Sequence, residues 1–352
     1  MKKRIAFVGT GALGGYVGGW LAHLGEDVTL IDMWPEHIEA IRSRGLELDG
    51  VTPEEKFTVT KARTMHMTEV QTLAKEKPID IAFISVKSYD TEWAAMMIKP
   101  YLAADGYAVS LQNCLNEEKI AGVVGWGKTL GVVASLISVN LYEPGRIRRT
   151  VEKGGDKHTI FRIGEVNGVV TGRVQELVAL FSKIDSTKAT TNLWGERWTK
   201  LTQNSMRNGV SAATGLAGVD CDNNTALRRF AIQLGAEAIK VGRALGYEVE
   251  NMGKLKPERL VAAADGNADA LVEIEELMMS RTKGNPRASI QRPSMAQDMH
   301  KGRRTEIQFM NGFIAEKGKA VGIPTPAHEK LTEVVTRVER GELSQSPANL
   351  GG

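Results

Sequence analysis

The chain has 352 residues, too many for one ordinary core, so two domains are expected. It is 42% hydrophobic and 25% charged with a net charge of +3, a globular composition without the basic field that nucleic-acid binding needs. No apolar run approaches the roughly 18 residues of a membrane span, and residues 1–4 lead into a strand instead of a signal-peptide core, so a cytoplasmic protein that does not engage membranes is expected. The two cysteines, Cys114 and Cys221, suit reduced thiols and make no metal-ligand spacing.

Residues 5–8 form a short apolar run that breaks into Gly9-Thr10-Gly11-Ala12-Leu13-Gly14, and residues 16–24 follow with helical spacing until Gly25. Strand, glycine turn and helix in that order are the parts of a dinucleotide site. The first glycine permits the tight turn, the second lets backbone N–H groups approach a pyrophosphate, and the third lets helix pack on strand, while the helix N-terminus adds positive potential. Gly15, Gly18 and Gly19 allow close packing on the sheet. A second strand, 28–31, ends at Asp32, 18 residues past Gly14, where an acid accepts hydrogen bonds from the adenosine ribose hydroxyls. A 2′-phosphate would meet a like charge there, and Met33, Trp34 and Pro35 follow with no basic residue among them. NAD is therefore the expected cofactor, with NADP still admitted. Asp32 would alternatively cap the helix that starts near Pro35, and the two roles are compatible.

A helix at 36–44, strand pieces around Leu46 and at 57–60, and a polar segment to Lys77 precede residues 79–86, the continuous apolar run of a buried parallel strand. In open α/β sheets ligands bind outside the carboxyl ends of strands. That places Lys87, and Asn113 after the strand 107–111, to face the cofactor. The alternatives are a solvated strand-end charge for Lys87 and a cap on the helix near Asn116 for Asn113. Residues 129–139, 147–150 and 159–163 read as strands completing the sheet, 146–158 as an exposed loop or hairpin, 173–183 as a helix and 186–192 as a polar passage.

From residue 194 the pattern is helical, at 194–215, 224–246, 269–281, 294–322 and 326–341, with a loop at 283–286. The expected architecture is α/β: an N-terminal Rossmann-type doubly wound sheet in residues 1–190, an all-helical substrate domain in 191–341, and a frayed tail, 342–352. Within 194–215, Lys200, Asn204 and Asn208 recur every four residues, about 40° apart around a helix. They form one stripe beside a packing face of Trp194, Trp198, Leu201 and Ser205, and such a stripe is either a wet surface or the wall of a site. Residues 294–322 read as one helix with Ser294 and Gln297 spaced as a capping box. Glu306 falls there among Met295, Met299, Phe309, Met310 and Phe313. A lone carboxylate on an apolar face is costly unless paired, and Lys200 is the leading candidate for its cation. A buried salt bridge without chemistry, or a bend that exposes Glu306, would also account for it.

The stretches GTGALG, SVKSYD, SLQNCLNEE, KLTQNSMRNGVSAATG and PSMAQDMHKGRRTEIQFMNGFIAEKGKAVGIPTP span nearly the whole chain and resemble those of the ketopantoate reductases, which reduce 2-dehydropantoate to pantoate with a nicotinamide cofactor. The resemblance implies Lys200 as general acid, Asn204 and Asn208 as substrate-binding amides, and Ser294 and Glu306 as the pair that binds a substrate hydroxyl. It also implies Asn113 near the nicotinamide and substrate, Lys87 as the lysine after the fourth strand, and a homodimer. Two positions depart from the family pattern. Cys114 stands where a glycine usually follows the QN pair, and Asp32 and Met33 stand where much of the family keeps a basic residue for NADP. In the implied mechanism a ketone carbon receives hydride while Lys200 polarises the oxygen and donates the proton, with Glu306 holding a substrate hydroxyl or orienting Lys200. Two other readings stay open: an NAD-linked dehydrogenase of a different hydroxy compound, with Lys200 as base, and a sensor that binds NAD without turnover.

Overall fold

The apolar runs of the first half pair as strands in the computed structural model, which describes residues 2–280 and 292–351 and divides into two units, Met1–Leu193 and Trp194–Gly352. In chain order the first unit contains β1 (Arg4–Val8), α1 (Ala12–His23), β2 (Asp27–Asp32), α2 (Pro35–Arg44), β3 (Leu46–Asp49), β4 (Phe57–Val59), β5 (Arg63–His66) and β6 (Ile79–Ile84). Then come α3 (Thr91–Ile98), β7 (Leu102–Ser110), α4 (Glu117–Val124), β8 (Thr129–Ala134), β9 (Val139–Glu143), β10 (Arg146–Arg149), β11 (Phe161–Glu165), α5 (Gly172–Ser182) and β12 (Thr187–Ala189). Eight strands lie in the order β12-β11-β8-β7-β6-β1-β2-β5. From β8 to β5 all neighbours are parallel, whereas β11 runs antiparallel to β8. The chain order reverses at β1, flanked by β2 and β6, which is the switch point where a Rossmann-type sheet leaves a crevice at its carboxyl edge.

A second sheet, β4-β3-β10-β9, covers the other side of α1. Three glycines make that close fit. A Cβ at Gly18 would press on Phe7 and Leu30 of the main sheet, one at Gly15 on Ile147, and one at Gly19 on Leu46 and Leu48 of the small one. The small sheet corrects two expectations and refines a third. Residues 147–150 join it through β3 and do not extend the main sheet. Residues 129–139 are two strands' worth of chain with a turn at 135–138, where Leu136 adopts φ 56°. The 146–158 stretch begins as the second strand of a hairpin, β10 pairing antiparallel with β9, and continues as a loop in which residues 155–157 are exposed, but Arg149 is buried in an ion pair with Asp185 at 2.6 Å and donates to Tyr16 at 3.1 Å.

The second unit is helical: α6 (Leu193–Ser205), α7 (Asn208–Thr214), α8 (Gly218–Asn223), α9 (Thr225–Ala244), α10 (Pro257–Ala264), α11 (Ala268–Ser280), α12 (Ser294–His300), α13 (Ile307–Val321) and α14 (Pro326–Glu339). The expected loop at 283–286, and the last residue of the helix expected at 269–281, lie outside the described residues. Two expected helices are each broken in two. The 194–215 helix turns at Met206 and Arg207, where Arg207 leaves helical geometry at φ −126°, ψ −46°. The 294–322 helix stops at His300, because Gly302 takes φ 61° and the Arg303 and Gly302 N–H groups return to the Asp298 and Met299 carbonyls, a Schellman closure. The segment after residue 341 is not a frayed tail. Gln345 Nε2 donates to Ala212 O at 2.7 Å, Ser346 N to Ala213 O at 3.2 Å, and Leu350 is buried. Among the described residues no helix is long and apolar enough to cross a membrane.

Candidate active site

Each glycine of the turn has a distinct environment. Gly9 sits at φ 94°, and a Cβ there would come within 2.7 Å of Val86 N. A Cβ at Gly14 would overlap Gly9 O and Ser85 Oγ, so the helix start is seated directly on the turn. At Gly11 a Cβ would meet nothing within 4 Å, so that side of the loop is open. Gly11 is the N-cap of α1 and offers no side chain, leaving the first-turn N–H groups at Ala12 and Leu13 without an intrahelical acceptor. An open backbone face at a helix start with no acid in its first turn fits a pyrophosphate. Ser85, which sequence reasoning passed over, fixes the turn by donating to Gly9 O at 2.7 Å.

Asp32 reaches back to the same turn. Its Oδ2 accepts from Thr10 N at 2.6 Å and Thr10 Oγ1 at 3.1 Å, and its Oδ1 accepts from Trp34 N at 2.9 Å. It therefore steers the entry to α2 without being that helix's N-cap, which is Trp34. A carboxylate oxygen accepts two bonds, so Oδ1 keeps capacity for a ribose hydroxyl. His37 braces the turn from α2: its Nδ1 accepts from Gly145 N at 2.9 Å, which leaves the proton on Nε2 to donate to Thr10 O at 2.9 Å. Burial lowers its pKa, against the opposing pull of Asp32, and keeps that tautomer neutral. Beside Asp32 a depression opens at the carboxyl ends of β1, β2 and β6, walled by Ile31, Met33, Met67, Val86, Trp93 and Met97. Soft thioethers and an indole around a slot next to an acid suit an adenine ring. Trp93 and Met97, one helical turn apart on α3, were the legible signal for it.

Lys87 follows β6, half-buried, at the start of a short turn, and Asn113 follows β7, also half-buried. Gln112 ties these two strand ends together: its Nε2 donates to Val86 O at 2.8 Å and to Thr91 Oγ1 at 2.9 Å. The side chain of Asn113 does not cap α4, whose N-cap is Asn116; the Asn113 carbonyl instead accepts from Asn116 Nδ2 at 2.9 Å. Cys114 is buried at φ 64°, a conformation that costs any residue with a Cβ and explains why glycine suits this position.

In the helical unit the breaks rearrange the expected stripe. Lys200 and Asn204 stay on α6, half-buried, beside a packing face whose Trp198, Leu201 and Ser205 are buried. Trp198 Nε1 donates to Ala238 O at 2.8 Å, and its ring lies 6.2 Å from Phe313 of α13. Asn208 is not a continuation of that stripe but the first residue of α7. Ser294 is likewise the first residue of α12 and does not form the expected capping box, since Pro293 is the N-cap and Gln297 Nε2 donates to Arg292 O at 2.9 Å. Glu306 is not mid-helix. It is the N-cap of α13, 5% exposed, and its side chain makes no capping hydrogen bond to that helix. The residue before it is clamped: Thr305 N and Oγ1 both donate to Glu339 Oε2, at 2.8 and 2.6 Å. α7 packs on α12 and α14, and a Cβ at Gly209 would lie 3.2 Å from Ile307, so the starts of α7 and α13 meet. Among the described residues no cluster of His, Cys, Asp and Glu could hold a metal ion.

A parallel sheet with its glycine turn, followed by a helical unit carrying half-buried polar groups, is the build of a nicotinamide-dependent oxidoreductase acting on a CH–OH group. The family model described as Ketopantoate reductase PanE/ApbA matches residues 5–164, and that described as Ketopantoate reductase PanE/ApbA C terminal matches residues 192–339. The chain belongs to the ketopantoate reductase family. It is 32% identical to the 2-dehydropantoate 2-reductase of Pyrococcus horikoshii, over 96% of this chain and 97% of that one. Among solved structures it is similar to a PanE/ApbA family ketopantoate reductase from Ralstonia eutropha, at 27% identity and a TM-score of 0.77, covering 96% of this chain and 99% of that one. It also shares its fold with D-mandelate dehydrogenase, seen with NADH and anilino(oxo)acetate, at 22% identity and a TM-score of 0.78 over 96% and 99% of the two chains.

Proposed function

We propose that the protein reduces 2-dehydropantoate, or a closely similar 2-keto acid, with NADH in preference to NADPH. Gly9, Thr10, Gly11, Ala12, Leu13 and Gly14 hold the pyrophosphate, Asp32 the adenosine ribose, and Lys87 and Asn113 the nicotinamide end. When bound, the cofactor supplies hydride to the ketone carbon. Lys200 donates the proton that turns the ketone oxygen into a hydroxyl and ends the step as a neutral amine. Its positive charge, withdrawn from bulk water, stabilises negative charge as it develops on that oxygen. Asn204, Asn208 and Ser294 bind the rest of the substrate, and Glu306 accepts from a substrate hydroxyl or orients Lys200. A homodimer goes with this reading, and sedimentation velocity reads it directly.

The observation that supports it most is the burial of Glu306 at the head of α13, in the same helical unit as the half-buried Lys200 and Asn204. A carboxylate withdrawn from water carries a penalty of several kcal/mol unless a cation or donors meet it, which supports a role for Glu306 in a polar site. Single-turnover reduction of 2-dehydropantoate by Lys200→Ala should be slowed on the order of 10²–10⁴-fold. A loss below about tenfold rejects Lys200 as the acid. Steady-state assays with NADH and NADPH, run beside a panel of 2-keto acids, test the cofactor and the substrate; a preference for NADPH would overturn the role given to Asp32.

A further inference from the structure

The turn between α6 and α7 separates two proposed substrate amides, Asn204 and Asn208, and it contains neither glycine nor proline. In a continuous helix the Ser205 carbonyl would accept from the N–H four residues on. Here the chain turns, and the buried side chain of Asn311, 106 residues later on α13, donates to Ser205 O at 3.1 Å. The same amide donates to His328 Nδ1 at 3.1 Å, while His328 Nε2 donates to Leu234 O at 2.9 Å. The ring is fully buried. With the proton committed to Leu234 O, Nδ1 is an acceptor, so the Asn311 amide cannot be turned round without losing both bonds. Asn311 thus fixes the end of α6 to α13, whose N-cap is Glu306.

We propose that Asn311 is a positioning residue for the substrate: held by His328, it sets the α6–α7 turn and so the spacing of Asn204, Asn208 and Glu306. The inference rests on the substrate roles given to those three residues. It assigns a task to the asparagine of the Asn311-Gly312 pair, which the proposed chemistry leaves unused.

Two variants of the full chain test it: Asn311→Asp, which keeps the volume but loses the donor, and Asn311→Ala. The expected result is a KM for 2-dehydropantoate raised about tenfold or more, with the KM for NADH changed less than twofold and kcat changed less than KM. A merely structural role would lower the active fraction and leave KM alone. Hydrogen exchange at the amides of residues 206–208 is read in parallel and should quicken relative to the rest of α6. If wild type does not turn over 2-dehydropantoate, the reading of the substrate fails by itself, and the exchange at 206–208 then decides the positioning role. An unchanged keto-acid KM, or in that case unchanged exchange, overturns the proposal. If neither Asn311 variant folds, His328→Gln, which loosens the anchor without removing the donor, is held to the same two readings.

Discussion

In the proposed reading the glycine turn at residues 9–14 and the helix turn at 206–207 do comparable work, each presenting a backbone and side chains to a ligand, yet they are specified in different ways. The first is written in the residues that form it: Gly9 takes φ 94°, Gly14 leaves room for a carbonyl, and Gly11 leaves its outer side open. The second is imposed from a distance, by Asn311 on the Ser205 carbonyl and by close packing of Gly209 on Leu331 and Ile307. A locally specified turn fails when its own residues change. A turn held by tertiary contact fails when residues far along the chain change, and the failure should appear in substrate binding before it appears in the cofactor.

The largest effect that would test this contrast lies inside the glycine turn itself. Gly14→Ala drives a Cβ into the Gly9 carbonyl, a backbone atom with nowhere to go, so the first unit should lose stability by about 3 kcal/mol or more, as for other large backbone clashes. Gly11→Ala adds the same methyl to open space and should change stability by less than about 1 kcal/mol. It should nonetheless weaken NADH binding at least tenfold, because in the proposed reading the methyl stands where a phosphate approaches. Thermal melts paired with fluorescence titration of NADH distinguish the two. Equal loss of stability in both variants would mean that the glycines serve the turn alone.

A smaller effect is read in the pH dependence of stability. Burial pushes His328 down to about 4 from an ordinary 6.5, so between those values the unfolded chain binds a proton that the folded chain refuses. Stability should therefore rise with pH across that window, by up to about 1.4 kcal/mol per pH unit, and level off above it. Glu237, which accepts from the Ala327 and His328 N–H groups, has its pKa raised by burial and works in the opposite sense, its contribution fading as pH rises. His37 in the first unit is lowered, again by burial, and adds to the His328 trend. The difference between wild type and His328→Gln in urea unfolding at pH 4.5 and 7 isolates the one group. Parallel curves would show that the ring is solvated and the Asn311 anchor loose.

These two kinds of specification also decide what could be read from sequence. β1, the glycine turn, α1 and Asp32 were legible because a short apolar run, turn chemistry and spacing all act over a few residues. The break after His300 was legible in principle, since Gly302 sits inside the expected helix and closes it in the left-handed conformation. The break at Met206 was only weakly signalled, by the turn-prone Asn208-Gly209 pair just beyond it, because the bond that holds it comes from Asn311, 106 residues away. Glu306 is buried, as a carboxylate read among apolar residues would have to be, but its place at a helix start goes with the Thr305–Glu339 clamp, which spans 34 residues. The small sheet escaped notice for the same reason: β3 and β10 are parallel neighbours about a hundred residues apart, and each alone is only four residues long.

The smallest expected effect compares the two cysteines. Both are buried, Cys114 in the turn after β7 and Cys221 within α8. Replacing Cys114 by glycine removes a left-handed strain of roughly 1–2 kcal/mol, and loses about 1 kcal/mol of apolar burial plus about 0.5–1 kcal/mol of backbone entropy. These terms oppose one another, so Cys114→Gly should fall within about 1 kcal/mol of wild type and keep its activity. At Cys221 no such strain exists to be relieved. The lost burial and the roughly 1 kcal/mol cost of a helical glycine add, and Cys221→Gly should cost about 2 kcal/mol. Denaturant unfolding of the two variants side by side reads the difference. If both cost the same, the strain at residue 114 is not what recommends glycine there, and the departure at that position must instead be explained by what its thiol touches.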